Sequence, residues 1–274
     1  MFRKFFGMPA AGDKYPAQVA PDERIYAVGD IHGRHDLLHA LLKKIHADVA
    51  NLSDTRKPRV IFLGDYIDRG DRSRDVVKTL SGLCAAPTAG AASHDVRYDF
   101  LAGNHEISLL KFLEDPLVSD GWLDWGGLQT LASFGLKPTA ARLSERELLR
   151  LRDSFAPAVL PYLEFLRGLP RIIVSGDIVF VHAALDPECS LEDQPDEATL
   201  WGKPPSGRKS GLRGYKMVHG HFAETEPVSL PERICVDTGA YFSGRLTAVR
   251  LDDTETFLSV STTETPPLYA SGPT

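Results

Sequence analysis

The sequence predicts an α/β sandwich, and three observations predict it. Short apolar runs recur, and each ends in Gly-Asp, Gly-Asn-His or His. Segments of helical spacing fill the gaps between the early runs, which gives β-α-β-α-β-α over the first half. Over 274 residues, 43% hydrophobic and 25% charged residues supply enough apolar material for a sizeable core. The same composition excludes a mainly disordered chain, a collagen-like fibre and a disulfide-dense mini-protein.

The elements follow in order. Residues 1–23 lack periodicity and are expected to be a poorly ordered arm; a peripheral membrane contact through Phe2, Phe5 and Phe6 is the weaker reading of its aromatics. Arg24–Val28 reads as a strand running into Gly29-Asp30. Leu37, Leu38, Leu41, Leu42, Ile45 and Val49 recur at helical spacing. Arg59–Leu63 is a second strand, ending in Gly64-Asp65, and residues 73–84 form a helix with Ser73 as its expected cap. Val96–Ala102 is a third strand, running into Gly103-Asn104-His105. Ser144 and Glu147 have capping-box spacing and open another helix. Ile178–Val181 runs into His182, and Met217-Val218 into His219-Gly220-His221. Arg233–Asp237, Leu246–Leu251 and Thr256–Val260 are expected strands with antiparallel pairing. Residues 24–261 are expected to form one domain, and residues 262–274 a disordered tail.

Charge and cysteine content narrow the function. Lys and Arg total 31 against 37 Asp and Glu, a net charge of −6, which argues against a global grip on nucleic acid or anionic membrane. Cys84, Cys189 and Cys235 are far apart and make no CxxC, as in a protein of a reducing compartment. No apolar run is long enough for a membrane span, and the expected location is cytoplasmic. Oligomeric state is left open.

The strand ends carry the chemistry. Asp30 and His32 offer a hard oxygen and an imidazole on one turn, a pair that can grip a divalent ion and that, taken alone, also suits a cap. In Gly64-Asp65-Tyr66-Ile67-Asp68-Arg69-Gly70, Asp65 can bridge two ions, Asp68 can orient a histidine, and Arg69 can fork onto a phosphate oxygen. Asn104 offers an amide oxygen, and His105 beside it is free for proton transfer. His182 ends an apolar strand, and the spacing of His219 and His221 does not say which of them binds. Together these donors suit two ions about 3.5–4 Å apart sharing one carboxylate. Mixed oxygen and nitrogen donors with no thiolate suit manganese, iron or zinc better than calcium.

The ordered series GDIHG, GDYIDRG, GNHE, VHA and GH resembles the metallophosphoesterases of the phosphoprotein phosphatase type, close to the small bacterial members, over about residues 24–252. The stretches Trp122–Leu131 and Val236–Leu246 resemble the same branch. The resemblance implies a four-layer αββα sandwich, with two central mixed sheets flanked by helices. It also implies two divalent ions, manganese first with iron or zinc as alternatives. Asp30 and His32 would hold one ion, Asp65 would bridge, and Asn104, His182 and His221 would hold the other. His105 would be the general acid, paired with Asp68, and Arg69 would bind the phosphoryl group. A hydroxide bridging the ions would attack phosphorus directly, without a phosphoenzyme. The family's second phosphate-binding Arg is replaced at the matching position by Lys203; Arg208 or Arg213 in the basic loop that follows could take its place, although a solvated loop is the first reading of any one of them.

Three functions remain in view. The first expectation is a serine/threonine protein phosphatase acting on phosphorylated proteins. The second is a hydrolase of dinucleoside polyphosphates such as diadenosine tetraphosphate. The third is a metal-binding regulatory module with little catalysis. Residues 114–170 are expected to form a helical cap that shapes specificity, in which Trp122 and Trp125 could stack on a base but are read first as packing residues.

Overall fold

Strand periodicity decides the layers. In β1 (Glu23–Val28), Ile25 and Ala27 face one way and Tyr26 and Val28 the other, and all four are buried. β2 (Lys57–Phe62) repeats the pattern, with Ile61 on the side of Ile25 and with Val60 and Phe62 on the side of Tyr26. Both faces of this sheet are therefore covered, as parallel strands require. The structure is a computed structural model and describes residues 17–86, 96–137, 143–203 and 214–262.

The first sheet has the order β10-β9-β1-β2-β3, with β3 at Arg97–Phe100, β9 at Arg245–Leu251 and β10 at Glu255–Ser261. β1, β2 and β3 are parallel; β9 lies antiparallel to β1 with Ile25 opposite Leu251, and β10 lies antiparallel to β9. The second sheet runs β4-β5-β6-β8-β7: Ile172–Ser175, Ile178–Val181, Lys216–His219, Arg233–Cys235 and Val228–Ser229. Its three central strands are parallel and both edges antiparallel. The expected antiparallel pairing thus holds for β9 and β10 and in part for β8, which lies antiparallel to β7 but parallel to β6.

The sheets pack face to face through Ile25, Ala27, Ile61 and Leu63 on one side and Phe180, Val218 and Ile234 on the other. On the outer face of the first sheet, α1 (His35–Asn51) buries all six of the apolar residues expected from its spacing, beside α2 (Ser73–Ala85). α3 (Asn104–Glu114), α4 (Gly127–Ser133), α5 (Glu145–Val159) and α6 (Leu163–Arg167) join the same cluster. A smaller cluster of Val179, Val181, Met217 and Leu185 covers the outer face of the second sheet. Two short helices remain, α7 (Asp196–Trp201) and α8 (Ala240–Ser243). The architecture is α/β, two mixed sheets flanked by helices. No helix among the described residues is long and apolar enough to cross a membrane.

Two local expectations change. Ala17–Asp22, read as part of a loose arm, packs on the second sheet: Val19 is buried, the Ala20 amide donates to Ser175 Oγ (2.9 Å), and the Asp177 amide donates to Gln18 O (2.8 Å). Ser73 does not cap α2; it lies inside the helix, and its Oγ accepts the Asp68 amide at 3.0 Å. The capping box of α5 is present, with the Ser144 amide donating to Glu147 Oε2 at 2.8 Å.

Candidate active site

Parallel strands deliver their carboxyl ends to one edge, and both sheets do so on the same side. The turn after β1 brings Asp30 and His32, the turn after β2 brings Asp65, Asp68 and Arg69, and the start of α3 brings Asn104 and His105. β5 and β6 in the other sheet bring His182 and His221. Asp65 stands where these meet. Its carboxylate belongs to two groups of donor atoms, each within 4.8 Å: His32, Asp65 and His105, and Asp65, His182 and His221. Asn104 Oδ1 lies 2.9 Å from His182 Nε2, which faces His221 Nδ1 at 3.1 Å.

Backbone contacts set the imidazole tautomers. His32 Nδ1 donates to Ile67 O (2.8 Å) and His182 Nδ1 to Leu63 O (2.9 Å), so each Nε2 lone pair is aimed at the donor cluster. His105 is fixed by a side chain instead, with Nδ1 2.6 Å from Asp68 Oδ2. Asp68 is fully buried and also accepts from Trp122 Nε1 (2.7 Å) and Thr130 Oγ1 (2.5 Å). Glu106 pins the Asp65 loop to α3, because its carboxylate accepts the amides of Asp65 (2.9 Å), Tyr66 (2.8 Å) and Gly103 (2.9 Å).

The backbone is strained in the same places. Among the described non-glycine residues, positive φ occurs at His32, Asp65, Asp68, Arg69 and His221, all of them site residues. Each such conformation costs on the order of 1–3 kcal/mol and persists only where its surroundings enforce it. Gly103 shows the tightness of the site, since a Cβ there would lie 2.1 Å from Asp65 Oδ1.

Burial and charge divide the ionisable groups. Burial alone would push the Asp65 carboxyl up, but His182, His105, His32 and His221 outweigh it and hold it below the usual carboxylate range. Burial pushes His32 and His182 down, and His221 down to about 3, so these three are neutral and able to share a lone pair. His105 goes the other way: burial lowers it, but Asp65 and Asp68 outweigh burial and keep its proton on. Burial, with Asp237 and Asp65 nearby, raises Asp30; burial raises its hydrogen-bonded neighbour Asp237 to about 6. One ionised carboxylate, three neutral imidazoles, an amide oxygen and a buried carboxyl pair make a donor set that fits divalent cations.

The comparisons with known proteins agree with this reading. A profile of the calcineurin-like phosphoesterases matches residues 23–248. The chain is a calcineurin-like phosphoesterase. This phosphoesterase is 28% identical over 247 residues to the asymmetrical bis(5'-nucleosyl)-tetraphosphatase PrpE of Bacillus subtilis (strain 168), covering 84% of the chain and 91% of the relative. It is 27% identical to the symmetrical bis(5'-nucleosyl)-tetraphosphatase of Proteus mirabilis (strain HI4320), covering 88% and 99%. Its fold matches the crystal structure of a proposed diadenosine tetraphosphatase (TM-score 0.56, 21% identity, 90% and 98% covered). The fold also matches a serine/threonine phosphatase of Saccharomyces cerevisiae (TM-score 0.52, 17% identity, 92% and 85% covered).

Most of the expected residues converge in the phosphoesterase. Arg69 NH1 lies 3.0 Å from His32 Nε2, and its guanidinium sits 4.8 Å from the Tyr241 ring centre. Asp30 differs in detail: it lies in neither donor group, its carboxylate accepts the His221 amide (3.1 Å) and pairs with Asp237, and His105 stands third beside His32 and Asp65. His219 stays apart, fully buried, with Nδ1 on Gly220 O (2.9 Å) and Nε2 facing Arg233 (3.0 Å). Lys203 is exposed just beyond α7; Arg208 and Arg213 lie outside the described residues. Reading the sequence gave no role to Glu106 or Thr130, took Ser73 for a helix cap, and placed Asp237 at the cleft without a catalytic task. Of the first two, only Glu106 carried a signal, as the last residue of GNHE. The two tryptophans separate: Trp122 is buried and holds Asp68, whereas Trp125 is 48% exposed.

Proposed function

We propose that this phosphoesterase hydrolyses dinucleoside polyphosphates such as diadenosine tetraphosphate, using two divalent ions, manganese foremost. The observation that carries the reading is the paired donor groups sharing Asp65, beside a histidine that keeps its proton. The substrate class follows the names of relatives that match along nearly their whole length. This replaces protein phosphatase as the first reading, since the fold match to a protein phosphatase supports architecture alone.

His32, Asp65, Asn104, His182 and His221 would hold the ions, with Asp30 as a further carboxylate. Bound ions polarise phosphoryl oxygens and lower the pKa of water. Arg69 neutralises a non-bridging oxygen of the phosphoryl group through its planar fork, and the Tyr241 ring supports the guanidinium. The oxygen of water, which gives up one proton to solvent, bonds to phosphorus while the bond to the leaving phosphate oxygen breaks. His105 Nε2–H gives its proton to that leaving oxygen, and the Asp68 carboxylate stabilises the imidazolium beforehand. Among the described residues neither donor group contains a cysteine, and the reading is of direct hydrolysis without a phosphoenzyme. Lys203, with Arg208 and Arg213, is assigned to the outer phosphates, and the cap at residues 114–170 to specificity.

The test strips the protein of metal and restores manganese, iron, zinc or magnesium in turn. Turnover of diadenosine tetraphosphate is compared with that of a phosphothreonine peptide, with His105→Asn as the blank. A much higher kcat/KM on the dinucleotide supports the reading, and the products (two ADP, or ATP and AMP) fix the position of attack. A higher kcat/KM on the peptide overturns it.

A further inference from the structure

Trp125 is a large apolar side chain left half in solvent beside the site. Its backbone cannot drift: Trp125 N donates to Trp122 O (3.1 Å), and the next residue, Gly126, is pressed onto Arg69, where a Cβ would lie 2.4 Å from the Arg69 amide nitrogen. Arg69 N in turn donates to Gly126 O at 3.4 Å. On its other side the Trp125 ring meets Trp201 at 5.3 Å between centres and 67° between planes, and Trp201 meets His221 at 6.2 Å. A continuous path of rings therefore leads from a donor group to an exposed indole. Trp122, three residues earlier, is 1% exposed and packs against Phe112 and Phe155. Core packing thus accounts for one tryptophan of the pair and leaves the other against Trp201 with about half its surface open.

We propose that Trp125, braced by Trp201, is the shelf on which a nucleobase of the substrate stacks. The inference rests on the nucleotide reading of the site and names the residue that distinguishes a nucleotide from any other phosphoester. Arg69 takes the phosphoryl end, and the indole, one residue from the backbone that clamps Arg69, takes the base. Stacking on an indole face tolerates any base, so the shelf selects for an aromatic group attached to polyphosphate rather than for adenine. A phosphopeptide gains nothing from it unless an aromatic residue flanks the phosphate.

The experiment uses the metal-loaded full chain with Trp125→Ala and Trp125→Phe. On diadenosine tetraphosphate, Trp125→Ala is expected to raise KM about ten- to a hundredfold with kcat unchanged. Trp125→Phe is expected to recover most of that loss. Inorganic tripolyphosphate and glycerol phosphate, which carry no base, should show the same kinetics with all three proteins. An unchanged KM for the dinucleotide, or an equal loss on tripolyphosphate, overturns the shelf. If the parent protein fails to cleave the dinucleotide, calorimetric titration with ADP decides. ADP binding that weakens in Trp125→Ala supports the shelf while the hydrolase reading falls. ADP binding that is unaffected, or absent in the parent, overturns the shelf as well.

Discussion

Trp122→Phe tests whether an indole N–H holds the partner of the general acid. The substitution keeps most of the ring between Phe112 (5.0 Å) and Phe155 (6.2 Å) and removes the donor 2.7 Å from Asp68 Oδ2. Two losses add. Asp68 is fully buried, so no bulk water replaces a hydrogen bond to its carboxylate, and such bonds contribute about 1.5–3 kcal/mol. The smaller ring leaves about 40 Å³ empty, which at about 24 cal/mol per Å³ costs about 1 kcal/mol. The sum, about 2.5–4 kcal/mol, lowers Tm by roughly 5–15 °C for a chain of this size. The effect on the acid has the opposite sign. Oδ2 then accepts only from His105 Nδ1, so the imidazolium is held more firmly and the alkaline limb of kcat moves to higher pH. Thermal melts and a pH profile of p-nitrophenyl phosphate hydrolysis read both effects. Phe155→Leu, a cavity in the same cluster without a donor to Asp68, should lower Tm and leave the limb in place. A Tm loss of about 3 °C or less in Trp122→Phe, with an unmoved limb, would refute the account.

His105→Asn should lower kcat by about a hundred- to ten-thousandfold while ion content by elemental analysis stays within that of the parent. Burial pushes His219 down to about 4, and Nε2 accepts from Arg233, so protonation would set two cations together. A folded-state pKa below the ordinary 6.5 means that the unfolded chain binds more protons between those values. His219 therefore contributes stability above pH 6.5, and this is lost as pH falls toward 4, by about 3 kcal/mol. Denaturant melts across that window should show His219→Gln losing less than its parent. Chelation should lower Tm, and restoring each ion at a hundred times its Kd should return about 2.7 kcal/mol, read by calorimetry. Gly103→Ala places a methyl against Asp65 Oδ1 and should abolish ion uptake in equilibrium dialysis even where the protein still folds.

The site was legible because strand and chemistry coincide. A buried parallel strand is a short apolar run, and its carboxyl end is where a ligand group belongs, so Val28-Gly29-Asp30 and Leu63-Gly64-Asp65 announce both at once. What was missed depends on distant partners. Thr130 and Trp122 reach Asp68 across 62 and 54 residues, and no local pattern encodes that meeting. Ser73 has the composition of a cap, but the Asp68 amide claims its hydroxyl. The parallel pairing of β8 depends on which edge of β6 is free, and a three-residue strand has no periodicity to declare it. β4 is another matter. Ser175 pairs with Ile178 across Gly176-Asp177, a two-residue turn between β-branched runs, and that hairpin was readable.

The pairing of β1 with β9 sets a timetable for synthesis. β1 leaves the ribosome long before its second neighbour, which consists of residues 245–251. Until that segment appears, the nascent β1-β2-β3 layer can pair along one side only, with the Ile25–Val28 backbone open to any strand that passes. A stalled or prematurely terminated chain would expose that edge beside the apolar residues meant for the second sheet. Aggregation of fragments ending before residue 245, and rescue when the β9-β10 hairpin is supplied as a separate peptide, would be the cellular signature of that late closure.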